Sequence, residues 1–239
     1  MLLQANNLVK SFKGRRVVDG VSIKVEPGQV VGLLGPNGAG KTTTFYIITG
    51  LIKPEQGEIF VNGKDITRLP MYLRAREGIG YLPQEPSSFR KLSVEENILA
   101  ILETIPLNKG ERKKKAEALM KEFGVYQLKN QKAYSLSGGE RRRVEIARAL
   151  TTSPNFILMD EPFTGIDPIM VADIQDVIFK LKKKGLGIVI TDHNVRETLQ
   201  ITDITYIISD GKILEMGSPE EIIKSERAKQ VYFGEKFIF

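Results

Sequence analysis

Residues Val30 to Tyr46 read VVGLLGPNGAGKTTTFY, and this stretch orders the chain around it. The apolar run Val30, Val31, Leu33 and Leu34 predicts a buried strand. Gly35-Pro36-Asn37-Gly38-Ala39-Gly40-Lys41-Thr42 then fits the phosphate-loop pattern G-x-x-x-x-G-K-[ST], and a helix is predicted over Thr43 to Gly50. Glycines let such a loop curl its N–H groups inward around a polyphosphate, with the positive end of the helix behind them. Lys41 would reach the outer phosphates, and the Thr42 hydroxyl, next to Thr43, would ligate Mg²⁺. The pattern alone arises by chance in roughly 1% of chains this long. The strand before it and the helix behind it make it a nucleotide site.

Composition sets the bounds. The chain has 239 residues, 41% of them hydrophobic, enough for one large domain or a domain with an inserted lobe. A net charge of +6 and a pI near 9.3 allow an anionic partner. The basic runs Lys113–Lys115, Arg141–Arg143 and Lys182–Lys184 are scattered, and each is expected on a solvated helix face. There is no cysteine, which rules out disulfides and thiolate-ligated metals and is compatible with a reducing cytosol. No run approaches the ~18 apolar residues of a membrane span, and the N-terminus lacks a signal-peptide layout. The expectation is a soluble chain that reaches a membrane only through another subunit.

Along the chain, Leu2–Phe12 and Val17–Val25 read as strands around Lys13-Gly14, and Ile59–Val61 with Asn62-Gly63 as a hairpin element. Ile79–Leu82 is a further short strand ending at Gln84. From Pro86 to about Pro154 the patterning is helical, including a capping box at Ser93–Glu96. Strand patterning returns at Phe156–Met159 and Ile188–Thr191, with a helix between them opened by Asp167-Pro168 and striped by Val171, Ile174, Ile178 and Leu181. A hairpin, Ile204–Ile208 with Lys212–Met216, and a capped helix from Ser218 follow. The expected fold is α/β: a mostly parallel sheet core (1–85 and 155–239), an N-terminal antiparallel part, and an inserted all-α lobe (86–154).

Asp160-Glu161 ends an apolar strand. Ligands gather at the carboxyl ends of parallel strands, so this pair can share an edge with the phosphate loop. Asp160 would hold Mg²⁺, and Glu161 would orient or deprotonate the attacking water. Leu136-Ser137-Gly138-Gly139-Glu140 opens another helix, with Ser137 and Glu140 at capping-box spacing and two glycines leaving its amides open to an anion. Two anion-binding helix ends suit one triphosphate only if two chains pair head to tail. Taken singly, Phe12 is a strand aromatic or an adenine platform, Gln84 a loop amide or a sensor of Mg²⁺ and water. His193, the one histidine, is a structural group or a γ-phosphate contact.

In combination, these residues resemble the ATP-binding subunits of ABC transporters. Phe12, GPNGAGKT, Gln84, LSGGE, Asp160-Glu161, Thr164-Gly165-Ile166-Asp167 and His193 occur in that family's order and span nearly the whole chain. The resemblance implies Walker A at 35–43, Walker B at Asp160, a signature at 136–140 and a D-loop acid at Asp167. It also implies two ATP molecules sandwiched in a head-to-tail homodimer, with Mg²⁺ as cofactor. Glu140 stands where Gln is commoner, and Thr164-Gly165 where Ser-Ala is frequent. With Glu161 present, hydrolysis is expected. GIGYLPQEPSSFRKLSVEENI, ITDHNVRETL and the terminal Tyr232–Phe237 resemble more closely the lipopolysaccharide-export branch, with Pro86 and Ser88 departing from its pattern. That implies permease subunits docked near Gln84, Phe89 and Arg90 on the cytoplasmic face of the inner membrane. Branched-chain amino-acid importers are the alternative. An ABC ATPase acting on nucleic acid or ribosomes is less favoured, since no sustained heptads separate Lys41 from Leu136 and the chain carries one ATPase half; no nucleic-acid partner is expected.

Overall fold

The strand sequences VVGLL, FILMD and GIVIT are buried at every position, as befits strands covered on both faces. The computed structural model describes residues 1–233. The chain opens with β1 (Leu3–Phe12), β2 (Arg15–Val25), β3 (Val30–Leu34) and α1 (Lys41–Thr49). Next come β4 (Gln56–Val61), β5 (Lys64–Asp65), α2 (Met71–Arg76) and β6 (Ile79–Leu82). A helical stretch follows, with α3 (Val94–Leu102), α4 (Lys109–Glu122) and α5 (Gly138–Ala149). The chain then returns to alternation through β7 (Phe156–Asp160), α6 (Pro168–Lys183), β8 (Gly187–Thr191), α7 (Val195–Leu199), β9 (Ile204–Ser209) and β10 (Lys212–Gly217). Helices α8 (Pro219–Lys224) and α9 (Glu226–Ala228) and a π-type turn, Lys229–Phe233, close the described residues.

β2-β1-β4-β5 form an antiparallel sheet, and β10-β9-β3-β8-β7-β6 a six-stranded one. In the larger sheet every pair from β9 to β6 is parallel, and β10 is an antiparallel edge. The α/β reading with an antiparallel N-terminal part and a helical insert is therefore borne out. Alternate residues of each strand supply the two faces. Leu158, Val189, Val31 and Leu33 pack against α1 and the small sheet. Ile157, Met159, Ile188 and Ile190 face α6, and that apolar core runs on into Ile98, Met120 and Val144 of the helical insert. A third cluster packs Tyr232 and Phe233 against Leu34, Leu199 and Ile207. The rest of the terminal motif, Gly234 to Phe237, lies outside the described residues.

Three departures from the sequence reading have physical causes. Helix α2 was not foreseen: six residues behind Pro70 are too few for a periodic pattern. The buried stripe of α6 is Ile174, Val177, Ile178 and Leu181, while Val171, in its first turn, is only half-buried. Arg142 corrects the solvated-face expectation for 141–143. It is 7% exposed, on the side of α5 turned toward the end of β6, where Nη1 donates to the Pro83 carbonyl at 2.9 Å.

Because one apolar core joins sheet and helical insert, Ile98→Ala should destabilise the whole chain by about 2–5 kcal/mol. Calorimetry should show one transition moved to lower temperature. A separate early transition with the main one unmoved would contradict the shared core.

Candidate nucleotide site and the family it defines

The parallel register carries the phosphate loop, Asp160 and Thr191 to one sheet edge. β3 pairs with β8, and β8 pairs with β7 so that Asp160 lies opposite Thr191. Two loop glycines are dictated by space. A Cβ on Gly35 would collide with the Ile208 carbonyl, and one on Gly40 with the Val17 carbonyl, both at positive φ. The loop is thus wedged between the two sheets. Lys41, at the start of α1, is 7% exposed, and its ammonium donates to the carbonyls of Gly35 at 2.7 Å and Pro36 at 3.0 Å. Burial pushes its pKa down, against the opposing field of Glu161, Asp160 and Asp192. The chain therefore holds a cation over the loop in an acidic surround.

Asp160 is buried, and Thr191 Oγ1 donates to its Oδ1. Its other oxygen has no hydrogen bond among the described residues. Burial pushes its pKa up, only partly offset by the Thr191 bond. Glu161 adopts the left-handed conformation, φ 45°, which is uncommon for a residue other than glycine. Its Oε2 is a meeting point. Gln84 Nε2 donates to it at 2.8 Å and Thr164 Oγ1 at 3.0 Å, and His193 Nδ1 lies 3.4 Å away. Asp192, wholly buried, accepts from the backbone N–H groups of Phe163 and Asn194, tying the strand ends β7 and β8 together.

The sequence reading missed Thr164 as a partner of Glu161, since a hydroxyl three residues on carries no motif signal. It also missed two groups that secure the segment after Gln84. Glu145, 3% exposed on α5, accepts from the N–H of Ser87 at 2.8 Å and of Ser88 at 3.1 Å. Asn97, fully buried on α3, accepts from Phe89 N–H at 2.7 Å and returns a bond to the Phe89 carbonyl. Phe89 stays 46% exposed, with the Arg148 guanidinium 5.0 Å from its ring centre. A groove of about 240 Å³ lies alongside, lined by Met71, Ala75, Tyr81, Ser87, Ile101 and Arg148 among others.

Ser137–Glu140 forms the expected capping box on α5. Gly139 is less open than foreseen: it is buried under Met170, whose methyl occupies the space a Cβ would need. Asp167 caps α6 by accepting from Met170 N–H at 3.0 Å. Phe12 ends β1, 44% exposed, with Lys10 Nζ 5.7 Å from its ring centre. No hydrogen bond or ion pair joins Ser137–Glu140 to Gly35–Thr43 among the described residues.

This arrangement is that of a phosphate-loop ATPase with a helical insert, and comparison with known proteins fixes its class. The ABC transporter family model matches residues 18–164, and the chain belongs to that family as an ATP-binding ATPase domain. It is 58% identical over 236 residues to the lipopolysaccharide export system ATP-binding protein LptB of Acidithiobacillus ferridurans, covering 99% of this chain and 98% of the relative. It is 54% identical to the protein of the same name from Escherichia coli strain K12, over 98% of each. A solved ATP-binding cassette of an ABC transporter in its ADP conformation matches with a TM-score of 0.90 and 32% identity, over 98% of this chain and 99% of that one. A dimeric cassette in a post-hydrolysis state, bound to ADP and Pi, matches with a TM-score of 0.80 and 26% identity, over 91% and 98%. No helix among the described residues is long and apolar enough to cross a membrane.

The raised pKa of Asp160 has a stability consequence. The folded state holds this proton more tightly than the unfolded chain. The group's contribution to stability is thus fully present below the unfolded carboxyl pKa and is lost as pH rises through the raised folded value. Asp160→Asn, which keeps the acceptor for Thr191, should therefore melt higher than the parent chain at pH 8, without nucleotide. That margin should shrink as pH falls through the carboxyl range. A lower melting temperature at pH 8 would contradict the assignment of burial as the dominant cause.

Proposed function

We propose that this chain hydrolyses ATP to drive lipopolysaccharide export through partner membrane subunits, acting as a head-to-tail homodimer. The observation that carries the ATPase chemistry is the convergence of Gln84, Thr164 and His193 on one oxygen of Glu161. Glu161 would orient the attacking water and accept its proton, while the neighbouring groups hold its carboxylate in one rotamer. The 35–43 loop, with Lys41 and the α1 N-terminus, would bind the β- and γ-phosphates of ATP. Phe12, at the end of β1, would stack on adenine. Ser137, Gly138, Gly139 and Glu140 would meet the γ-phosphate of ATP held by the second copy, and Asp167 would lie at the same junction. The dimeric ADP and Pi-bound relative supports this pairing.

The donors present fit Mg²⁺. Asp160 offers a buried carboxylate oxygen, Thr42 a hydroxyl and Gln84 an amide oxygen, hard ligands all. Among the described residues no three acidic or histidine side chains are placed so that they could hold a metal ion by themselves. Mg²⁺ suits such a site, because it keeps several waters and takes the rest of its ligands from phosphate. Held by Asp160, Thr42 and Gln84, the ion would supply positive charge against the phosphates that Lys41 and the α1 N-terminus bind.

The cargo rests on the relatives named for lipopolysaccharide export, which match nearly the whole chain at 54–58% identity. The amino-acid importer and nucleic-acid readings have no comparable support. We take 86–154 as the lobe that carries the signature to the partner copy. The 84–90 segment, with Phe89 and Arg90, and the groove that Ser87 of this segment helps to line would receive the membrane subunits at the cytoplasmic face of the inner membrane. The grip of Glu145 and Asn97 on that segment supports its use as a lever.

Glu161→Gln should lower ATP turnover by about 10²-fold or more while retaining ATP binding and ATP-dependent dimerisation. Unchanged turnover would remove Glu161 from this role. Purified from its native membrane, the chain should carry lipopolysaccharide-export permeases, and Phe89→Ala should release them without loss of ATP binding. Amino-acid permeases in that fraction would overturn the cargo.

A further inference from the structure

The groove beside the 84–90 segment is joined to the phosphate-loop helix at its other wall. Arg74 of α2 sits between the groove residues Met71 and Ala75 in sequence and is 1% exposed. Its Nη1 donates to the carbonyls of Ile47 and Ile48, both at 2.7 Å, in the last turn of α1. Nη2 donates to the Thr67 carbonyl at 2.7 Å and Nε to the Leu69 carbonyl at 2.8 Å. No carboxylate belongs to that set. Burial lowers the pKa to about 10, so the group stays charged at neutral pH.

Helix carbonyls at a C-terminus lack intrahelical partners and carry partial negative charge. A guanidinium presents its donors in a rigid plane, so it fixes direction as well as distance. Burying a charge without a counter-ion is costly, and an apolar side chain would fill the space at lower cost. What the guanidinium adds is a directional grip of α2 on α1. Gly50, which ends α1, leaves the room: a Cβ there would stand 2.8 Å from Arg74 Nε. A second contact runs in parallel. Tyr81, also lining the groove, meets Tyr46 of α1 edge to face, with ring centres 6.5 Å apart. α1 is a rigid rod of nine residues with Lys41 at its far end, so a shift at one end is felt at the other.

We propose that Arg74, seconded by the Tyr81–Tyr46 contact, is a positioning residue that links occupancy of the groove to the geometry of the phosphate loop. This route is separate from the one through Gln84. It rests on the docking reading given above, and its test does not need the membrane subunits.

Arg74→Met in the full chain should weaken ATP binding and raise KM by about tenfold, with kcat changed far less. Arg74→Lys, which keeps the charge but not the fork, should recover part of the loss. Ala75→Trp, a bulky stand-in for an occupant of the groove, should shift ATP affinity several-fold in the parent chain and by less than about twofold in the Arg74→Met background. If Arg74→Met melts earlier yet keeps its ATP affinity and KM, Arg74 is only architectural. Additive effects of the two substitutions would equally overturn the link. Should Arg74→Met fail to fold, the same cycle with Tyr81→Leu decides by the same criterion. Crosslinking from Ala75→Cys to the permeases tests the docking reading alone: its absence would sink that reading and leave the nucleotide measurements to judge Arg74.

Discussion

The pairing of β7 with β8 sets Asp160 opposite Thr191, and the neighbouring site groups take their places from that register. Parallel strands end together, so the residues just beyond them are forced into one neighbourhood. β3 lies on the other side of β8 and delivers the phosphate loop to the same edge. Asp192 then bonds across to Phe163, fixing the two strand ends to each other. A one-residue slip in this register would turn Asp160 to the opposite face and undo the arrangement. The acids pay for the burial in raised pKa values, and the lysine in a lowered one.

From that edge a chain of bonds runs outward into the helical insert. Glu161 holds Gln84, and the Pro83 carbonyl next to it receives Arg142 of α5. Glu145, one turn on, holds Ser87 and Ser88, and Asn97 of α3 holds Phe89 from the other side. Across the molecule, Arg143 pairs with Asp173 of α6 at 3.1 Å. The segment after β6 is thus gripped by two helices of the insert while its first residue touches the acidic cluster. A displacement of this segment has a short bonded path to Glu161, and the insert that carries the LSGGE motif must share it.

The sequence made the fold legible where both faces of a strand are buried, because unbroken apolar runs such as VVGLL and FILMD have few other uses. Caps at Ser93, Ser137, Asp167 and Ser218 marked helix starts correctly, since short-range bonds are written in short-range spacing. The phosphate loop, Asp160-Glu161, Gln84 and His193 were legible as residues of one sheet edge. Long-range contacts were not. Arg74 grips carbonyls 26 and 27 residues away, and Glu145 binds amides 57 and 58 residues away. Nothing in local spacing separates these buried charges from solvated ones. Arg142 misled for the same reason, being flanked by two arginines that remain partly exposed.

In the dimer proposed above, each nucleotide site would be completed by two copies, one giving the phosphate loop and the other the LSGGE helix. The most direct measurement mixes two inactive chains, Lys41→Ala and Ser137→Arg, and follows ATP hydrolysis. The mixture should regain activity that neither chain has alone, because the heterodimer keeps one intact composite site. A mixture that stays inactive, while dilute parent chain hydrolyses ATP at a rate per chain independent of its concentration, would contradict it.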